Sequence, residues 1–190
     1  METITFTTPG DFEKWLRVHH AKVPGVWVRF LKKAHKEASG ERSITYAEAL
    51  DVALCYGWID SLAHAIDEKS YKQKFTPRGP KSVWSKINKQ HIARLIKAKR
   101  MTPAGLAQVA AAKKDGRWAG AYDGSASMKI PEDFLRELGK NKKAKAFFDT
   151  LNKANLYAIG YRLQTAKKPE TRERRKAAIL AQLEAGKKFH

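Results

Sequence analysis

The sequence is poor in most of the features that announce a chemistry. It holds one cysteine, Cys55, among 190 residues, so an intramolecular disulfide is excluded. No apolar run approaches the roughly 18 residues that a spanning helix needs. The opening stretch "METITFTTPGDFEKW" has neither the basic nor the apolar region of a secretory signal. These three absences predict a cytoplasmic protein in a reducing compartment.

The usual catalytic and cofactor motifs are missing too. There is no G-x-G-x-x-G, no phosphate-loop lysine motif and no H-E-x-x-H. The "DGSAS" at 123–127 lacks both the lysine and the preceding strand of a phosphate loop. The histidines are His19, His20, His35, His64, His91 and His190. None is spaced with Cys55 as a metal ligand pair, and adjacent His19 and His20 point about 100° apart on a helix. No metal and no cofactor are expected. Cys55 itself falls at the end of a helix, where the dipole disfavours a thiolate. Glu48 and Asp51 on the same face disfavour it further. The residues name no catalytic group.

Acidic charge is also scarce: 19 Asp and Glu against 38 Lys and Arg, a net charge of +19. The imbalance is local. Residues 1–60 carry 8 of each sign, whereas residues 61–100 carry 11 basic and 2 acidic side chains. A basic field of this kind attracts nucleic acid, phosphorylated small molecules or anionic membrane surfaces.

What is present reads as alternating elements. Ile4–Phe6 suggests a short strand. Thr8 caps a helix that begins with Pro9 and has Asp11 in its first turn. "VWVRFL" alternates as a strand buried on both faces, and "ASGER" reads as a turn. Thr45 and Glu48 form a capping box for a helix that Gly57 stops. Trp58–Ile66 and Tyr71–Thr76 read as a hairpin joined by "DEKS". Ser82 is expected to cap a helix to Arg100, with Trp84, Ile87, His91 and Leu95 as its core stripe, and Thr102-Pro103 starts another. After the Gly- and Ser-rich 116–130 the chain reads as helices throughout, with Pro131 and Pro169 at starts and Gly139 and Gly186 at ends.

The fold class is therefore α+β: a small mixed or antiparallel sheet with packed helices over 1–115, a linker over 116–130, and an all-helical module over 131–190. The segments "ALDVALCYGWIDS", "SYKQKFTPRGPKSVWSKIN", "RMTPAGLAQV", "DGRWAGAYD" and "IPEDFLREL…FFDTL…PETRERRKAAILAQL" resemble, in that order and across nearly the whole chain, the YdeI/OmpD-associated or bacteriocin-protection family. The order of strands and helices in the first domain is similar to that of the small YdhG-like and YjbR-like domains. The resemblance implies a link to envelope stress or resistance to cationic peptides, and no reaction or catalytic residue.

The candidate site lies in 61–100 and its flanks. Strand alternation places Lys72, Lys74, Thr76 and Arg78 on one face and Tyr71, Gln73 and Phe75 on the other. Lys86 and Lys89 begin a basic helix face, and the free N–H groups after Ser82 favour phosphate. Tyr71, Trp58 and the Ser82 helix N-terminus would flank the site; Trp58 is expected to pair with Phe75, and Asp60 to form a salt bridge with Lys74 or Arg78. The reading is a non-catalytic, stress-response binding module for nucleic acid or a phosphorylated molecule. Two alternatives stand beside it. One is an enzyme acting on a phosphorylated or carboxylated small molecule near Trp58, Asp60, Lys74 and Arg78. The other is a peripheral membrane or protein-partner adaptor using Ile179, Leu180 and Leu183 of the last helix.

Overall fold

The computed structural model describes residues 1–189, so His190 lies outside it. The chain divides into two compact units. The first comprises Met1–Ser82 and Lys89–Trp118; the second comprises Val83–Asn88 and the chain from Ala119 onward.

The first unit is built on a four-stranded mixed sheet. In chain order its elements are β1 (Thr3–Ile4), α1 (Pro9–His19), β2 (Val26–Leu31), α2 (Lys33–Ser39), α3 (Tyr46–Cys55), β3 (Trp58–Ala65), β4 (Ser70–Pro77), most of α4 (Lys86–Lys97) and α5 (Pro103–Lys114). The strand order is β1-β2-β4-β3. β1 and β2 are parallel through the α1 crossover, and the β2–β4 and β4–β3 ladders are antiparallel.

Local chemistry sets these boundaries. Thr8 and Asp11 close a capping box on α1, and Thr45 and Glu48 close one on α3; each such cap stabilises by about 1 kcal/mol. Gly57, at φ 73°, turns the chain from α3 into β3 through a region that favours glycine. In the β3–β4 turn, Asp67 Oδ1 accepts from the Lys69 and Ser70 N–H groups and from Ser70 Oγ.

α1 and α3 cover one face of the sheet. Phe12 and Leu16 of α1 and Leu50, Ala53 and Leu54 of α3 are buried with Val26, Val28, Phe30 and Phe75, and the Phe12 and Phe75 rings meet edge to face at 5.7 Å. α5 lies close to the end of α3. Thr102 Oγ1 donates to the Cys55 carbonyl at 2.7 Å, and a side chain at Gly105 would run into that carbonyl.

The second unit is helical: α6 (Glu132–Leu138), α7 (Lys142–Phe148), α8 (Lys153–Gln164) and α9 (Pro169–Glu184). Phe134, Leu138, Leu151, Ile159, Leu163, Ile179 and Leu183 form its core. Ion pairs rim that core. Arg172 contacts Asp133 at 2.8 Å, and the largely buried Lys176 contacts Glu137 at 2.9 Å.

Several expectations need correction. "ASGER" lies at the end of a seven-residue helix, α2, that Gly40 terminates at φ 71°. β2 is buried on one face only: Trp27 and Arg29 stay half-exposed. α4 starts at Lys86, not after Ser82, and Ser85 Oγ accepts from Asn88 N at its first turn. The residues before it are extended because Ser85 bridges to Tyr122, with Lys86 N donating to Tyr122 O and Tyr122 N to Trp84 O. Trp84 therefore precedes the helix. The buried positions on α4 are Ile92 and Leu95, whereas Ile87 is exposed. Ile179 and Leu183 of α9 are core, so they offer no exposed adaptor stripe. Among the described residues, no helix is long and apolar enough to cross a membrane.

Candidate functional site

The alternation of β4 sorts the expected site residues. Lys72, Lys74 and Thr76 share one face of the sheet, and Tyr71, Gln73 and Phe75 share the helix-covered face. The register fixes this: Lys72 stands opposite Arg29 and Lys74 opposite Trp27, while Tyr71 stands opposite Phe30 and Phe75 opposite Val26. Tyr71 stacks on Phe30 with centroids 5.3 Å apart, and burial raises the pKa of its phenol.

Asp60 lies on the helix-covered side, opposite Phe75. Its Oδ2 accepts from Tyr46 Oη at 2.9 Å and Gln73 Nε2 at 3.3 Å. Strand alternation turns Lys74 away from it, which removes the expected Asp60–Lys74 pair. Trp58 is opposite Pro77, not Phe75; it is buried, and its Nε1 donates to His20 O. Arg78 is also buried, 4% exposed, and contributes no surface charge. Trp58, Asp60, Lys74 and Arg78 thus do not converge on one opening.

The remaining three expected residues go elsewhere. Ser82 closes a tight turn with Gly79, its Oγ accepting from Gly79 N. Lys86 belongs to the second unit, where it pairs with Asp123 at 2.6 Å. Lys89 Nζ donates to Trp118 O and lies 5.2 Å from the centre of the Trp118 ring.

The face that carries Lys72 and Lys74 is half-exposed and holds more than lysines. Two rows of residues run across it. One is Arg29, Lys72 and His64, on β2, β4 and β3; the other is Thr3, Trp27 and Lys74, on β1, β2 and β4. Opposite Lys74 the edge strand β3 has an extra residue, a bulge between Asp60 and Ala63. Lys72 Nζ sits 5.0 Å over the Trp27 ring. His64 meets that ring edge-on at 5.1 Å. A cation over a partly exposed indole contributes about 1 kcal/mol, so Lys72 is held loosely and can be drawn off.

One anion, Asp67, sits at one end of this face. Arg29 Nε donates to Ser70 Oγ at 3.1 Å, and its guanidinium lies 3.9 Å from Asp67. Hydrogen bonds from Ser70 hold the Asp67 carboxyl below its ordinary pKa, so it stays ionised. Among the described residues, neither Lys72 nor Lys74 is ion-paired with a carboxylate.

A second polar cluster joins α3 to α4. Asp51 Oδ1 lies 2.9 Å from His91 Nδ1 and 2.6 Å from Arg94 Nη2. Burial pushes the Asp51 carboxyl up, but hydrogen bonds from Arg94 and His91 outweigh it and leave the pKa below the ordinary value. One turn along α3, burial pushes the Cys55 thiol up to about 11. Asp51 reinforces that shift, which is the direction expected from its sequence position. Burial is the larger cause.

Trp27, Arg29 and His64 were not among the expected site residues. Their signal was legible in part: an arginine in "VWVRFL" argues against a strand buried on both faces. His64 carried no local signal, because its meeting with Trp27 depends on β4 being inserted between their strands.

Two family models match the chain. One, described as a domain of unknown function (DUF8412), matches residues 4–108. The other, described as bacteriocin-protection, YdeI or OmpD-associated, matches residues 127–186. The likeness to the YdeI/OmpD-associated family therefore resides in the C-terminal third and does not extend over the whole chain. No curated protein and no solved structure matches.

Proposed function

The chain belongs to the DUF8412 family, and from the geometry of its sheet we propose that it is a non-catalytic binding protein for phosphate-bearing polyanions. The observation that carries this reading is the set of cations, Arg29, Lys72 and Lys74, on one half-exposed sheet face around Trp27. Among the described residues, the carboxylate in contact with them is Asp67, at the end of the face beside Arg29. The excess charge of residues 61–100 supports it, since such a field raises the local concentration of anions. The description of the model matching 127–186, bacteriocin-protection, supports giving this binding a protective, stress-response role.

The test compares two double variants that delete equal charge. Lys72→Ala with Lys74→Ala removes the sheet-face cations; Lys142→Ala with Lys143→Ala removes two exposed cations of α7. Binding of inorganic polyphosphate is measured against salt. The sheet variant lowers the slope of log K against log salt by about 1.5, as two phosphate contacts are lost, and the α7 variant leaves it nearly unchanged. Equal losses from both would reduce the effect to net charge.

A second reading, a small-ligand site, is favoured by a cavity of about 280 Å³ lined by Phe30, Lys33, Lys36, Tyr46 and Tyr71. Its lysines are largely answered: Lys33 pairs with Glu37 at 3.6 Å, and Lys36 donates to Ser43 O and lies in the field of Glu48. A ring-bearing ligand, rather than a highly charged one, would suit it. Absence of polyphosphate binding at low salt would move this reading to first place.

A further inference from the structure

We infer that the polyanion bound by the sheet face is single-stranded nucleic acid, with a base stacked on Trp27. This inference rests on the polyanion reading above and adds the class of ligand.

A surface that bound phosphate alone would need cations and hydrogen-bond donors. This one arranges its cations around an indole. Trp27 lies in the middle of the sheet, on β2 between β1 and β4. Arg29 and Lys72 form the adjacent row and Lys74 stands directly opposite in its own row. Rows on one face of a strand are about 6.8 Å apart, a spacing that an extended nucleotide backbone can follow. The layout therefore offers a ring face for a base and flanking cations for its phosphates, the combination by which single strands are held without sequence readout.

The contacts of Trp27 fit this use. His64 meets the indole in a T-shaped arrangement, with the centroids 5.1 Å apart, and restricts its orientation. Lys72 covers the ring through a flexible four-carbon stem. An arriving base stacks more strongly than the ammonium it displaces. The displaced Nζ then stays within reach of the phosphate attached to that base. Duplex nucleic acid cannot make this exchange, because its base faces are already stacked. The cations also stand on β2 and β4, the inner strands of a four-stranded sheet, not on a helix or two-stranded ribbon that could enter a major groove. The amide in this neighbourhood, Gln73, faces the other side of the sheet and is bonded to Asp60 and Ser61 O, so little discrimination among bases is expected.

The experiment uses the full chain and four probes at one low salt concentration: an oligothymidine, an abasic oligonucleotide with the same number of phosphates, a duplex of equal length, and phosphatidylglycerol vesicles. The oligothymidine binds about tenfold tighter than the abasic strand, the increment of one stacked base. Trp27→Thr brings the oligothymidine down to the abasic affinity and leaves the abasic strand unaffected. Trp27→Phe, which keeps a ring, lies between. The comparison of the two strands on the unaltered protein does not depend on how the variants fold. Equal binding of oligothymidine, abasic strand and duplex overturns the inference while leaving the polyanion reading intact. Vesicle binding tighter than the oligothymidine overturns it in favour of a lipid surface. No binding of any probe overturns both.

Discussion

Trp27 and His64 are carried by strands that are not neighbours, yet their rings meet at 5.1 Å. β4 runs between β2 and β3 in the sheet, so the two side chains lean toward each other over it. Lys72 and Lys74 of β4 occupy consecutive positions on that face, one opposite Arg29 and the other opposite Trp27. The aromatic pair and the two lysines thus form one surface made by three strands. Its composition depends on the β2-β4-β3 order and would be lost if β2 paired with β3 directly.

Acid should weaken the link between α3 and α4. Asp51 is a depressed carboxylate, so its contribution to stability is present above the unfolded pKa near 3.8 and is lost as pH falls through the folded value. Asp51→Asn should cost about 1–2 kcal/mol at neutral pH, after allowing for the solvent exposure of Arg94. The gap between wild type and variant should close below about pH 4. Urea unfolding on both sides of that pH checks this; a gap of constant size would show that Asp51 acts through packing and not through charge.

Cys55 should be inert in the native protein. A thiol raised to about 11 is less than about one part in a thousand thiolate at neutral pH. Labelling by iodoacetamide should be slow until denaturant is added. Cys55→Ala should bind polyphosphate as wild type does and lose about 1 kcal/mol of stability at most. Fast native labelling that also abolishes binding would mean that the thiol belongs to the site.

Gly105→Ala should destabilise the first unit by about 1–3 kcal/mol, because the added carbon collides with the Cys55 backbone and cannot rotate away. α5 would have to lift from the end of α3, breaking the Thr102–Cys55 hydrogen bonds. Thr102→Val removes one of these bonds without adding bulk and should cost less. Thermal unfolding of the two variants gives the order; a neutral Gly105→Ala would mean that α5 can shift freely.

The segment 116–130 should be the first place a broad-specificity protease cuts. Tyr122 and Asp123 are tied down by the Ser85 bridge, by Lys86 and by Gln164, whereas Ser125–Ser127 is exposed. The first nick is therefore expected at 125–129, and mass spectrometry of early fragments locates it. A first cut within 45–100 would contradict the division of the chain into a sheet-bearing domain and a helical module.

Much of the local structure follows from the residues alone. Thr8 with Asp11 and Thr45 with Glu48 start helices because each pair satisfies N–H groups within three residues of chain. The alternation of "SYKQKFTP" puts Lys72, Lys74 and Thr76 on one face for the same kind of reason: the period of a strand is local. The helical core of Phe134, Leu138, Ile159, Leu163, Ile179 and Leu183 is legible from spacing in the same way. The start of α4 was not legible, because Ser82 and Ser85 are equally good caps, and only the bridge to Tyr122, 37 positions on from Ser85, keeps the intervening residues extended. The partners of Trp58 and Asp60 were not legible either, because an antiparallel register cannot be read from two strands in isolation. The surface around Trp27 was decided wholly by tertiary structure: insertion of β4 between β2 and β3 brings a tryptophan, a histidine and two lysines together, and no local rule specifies strand order.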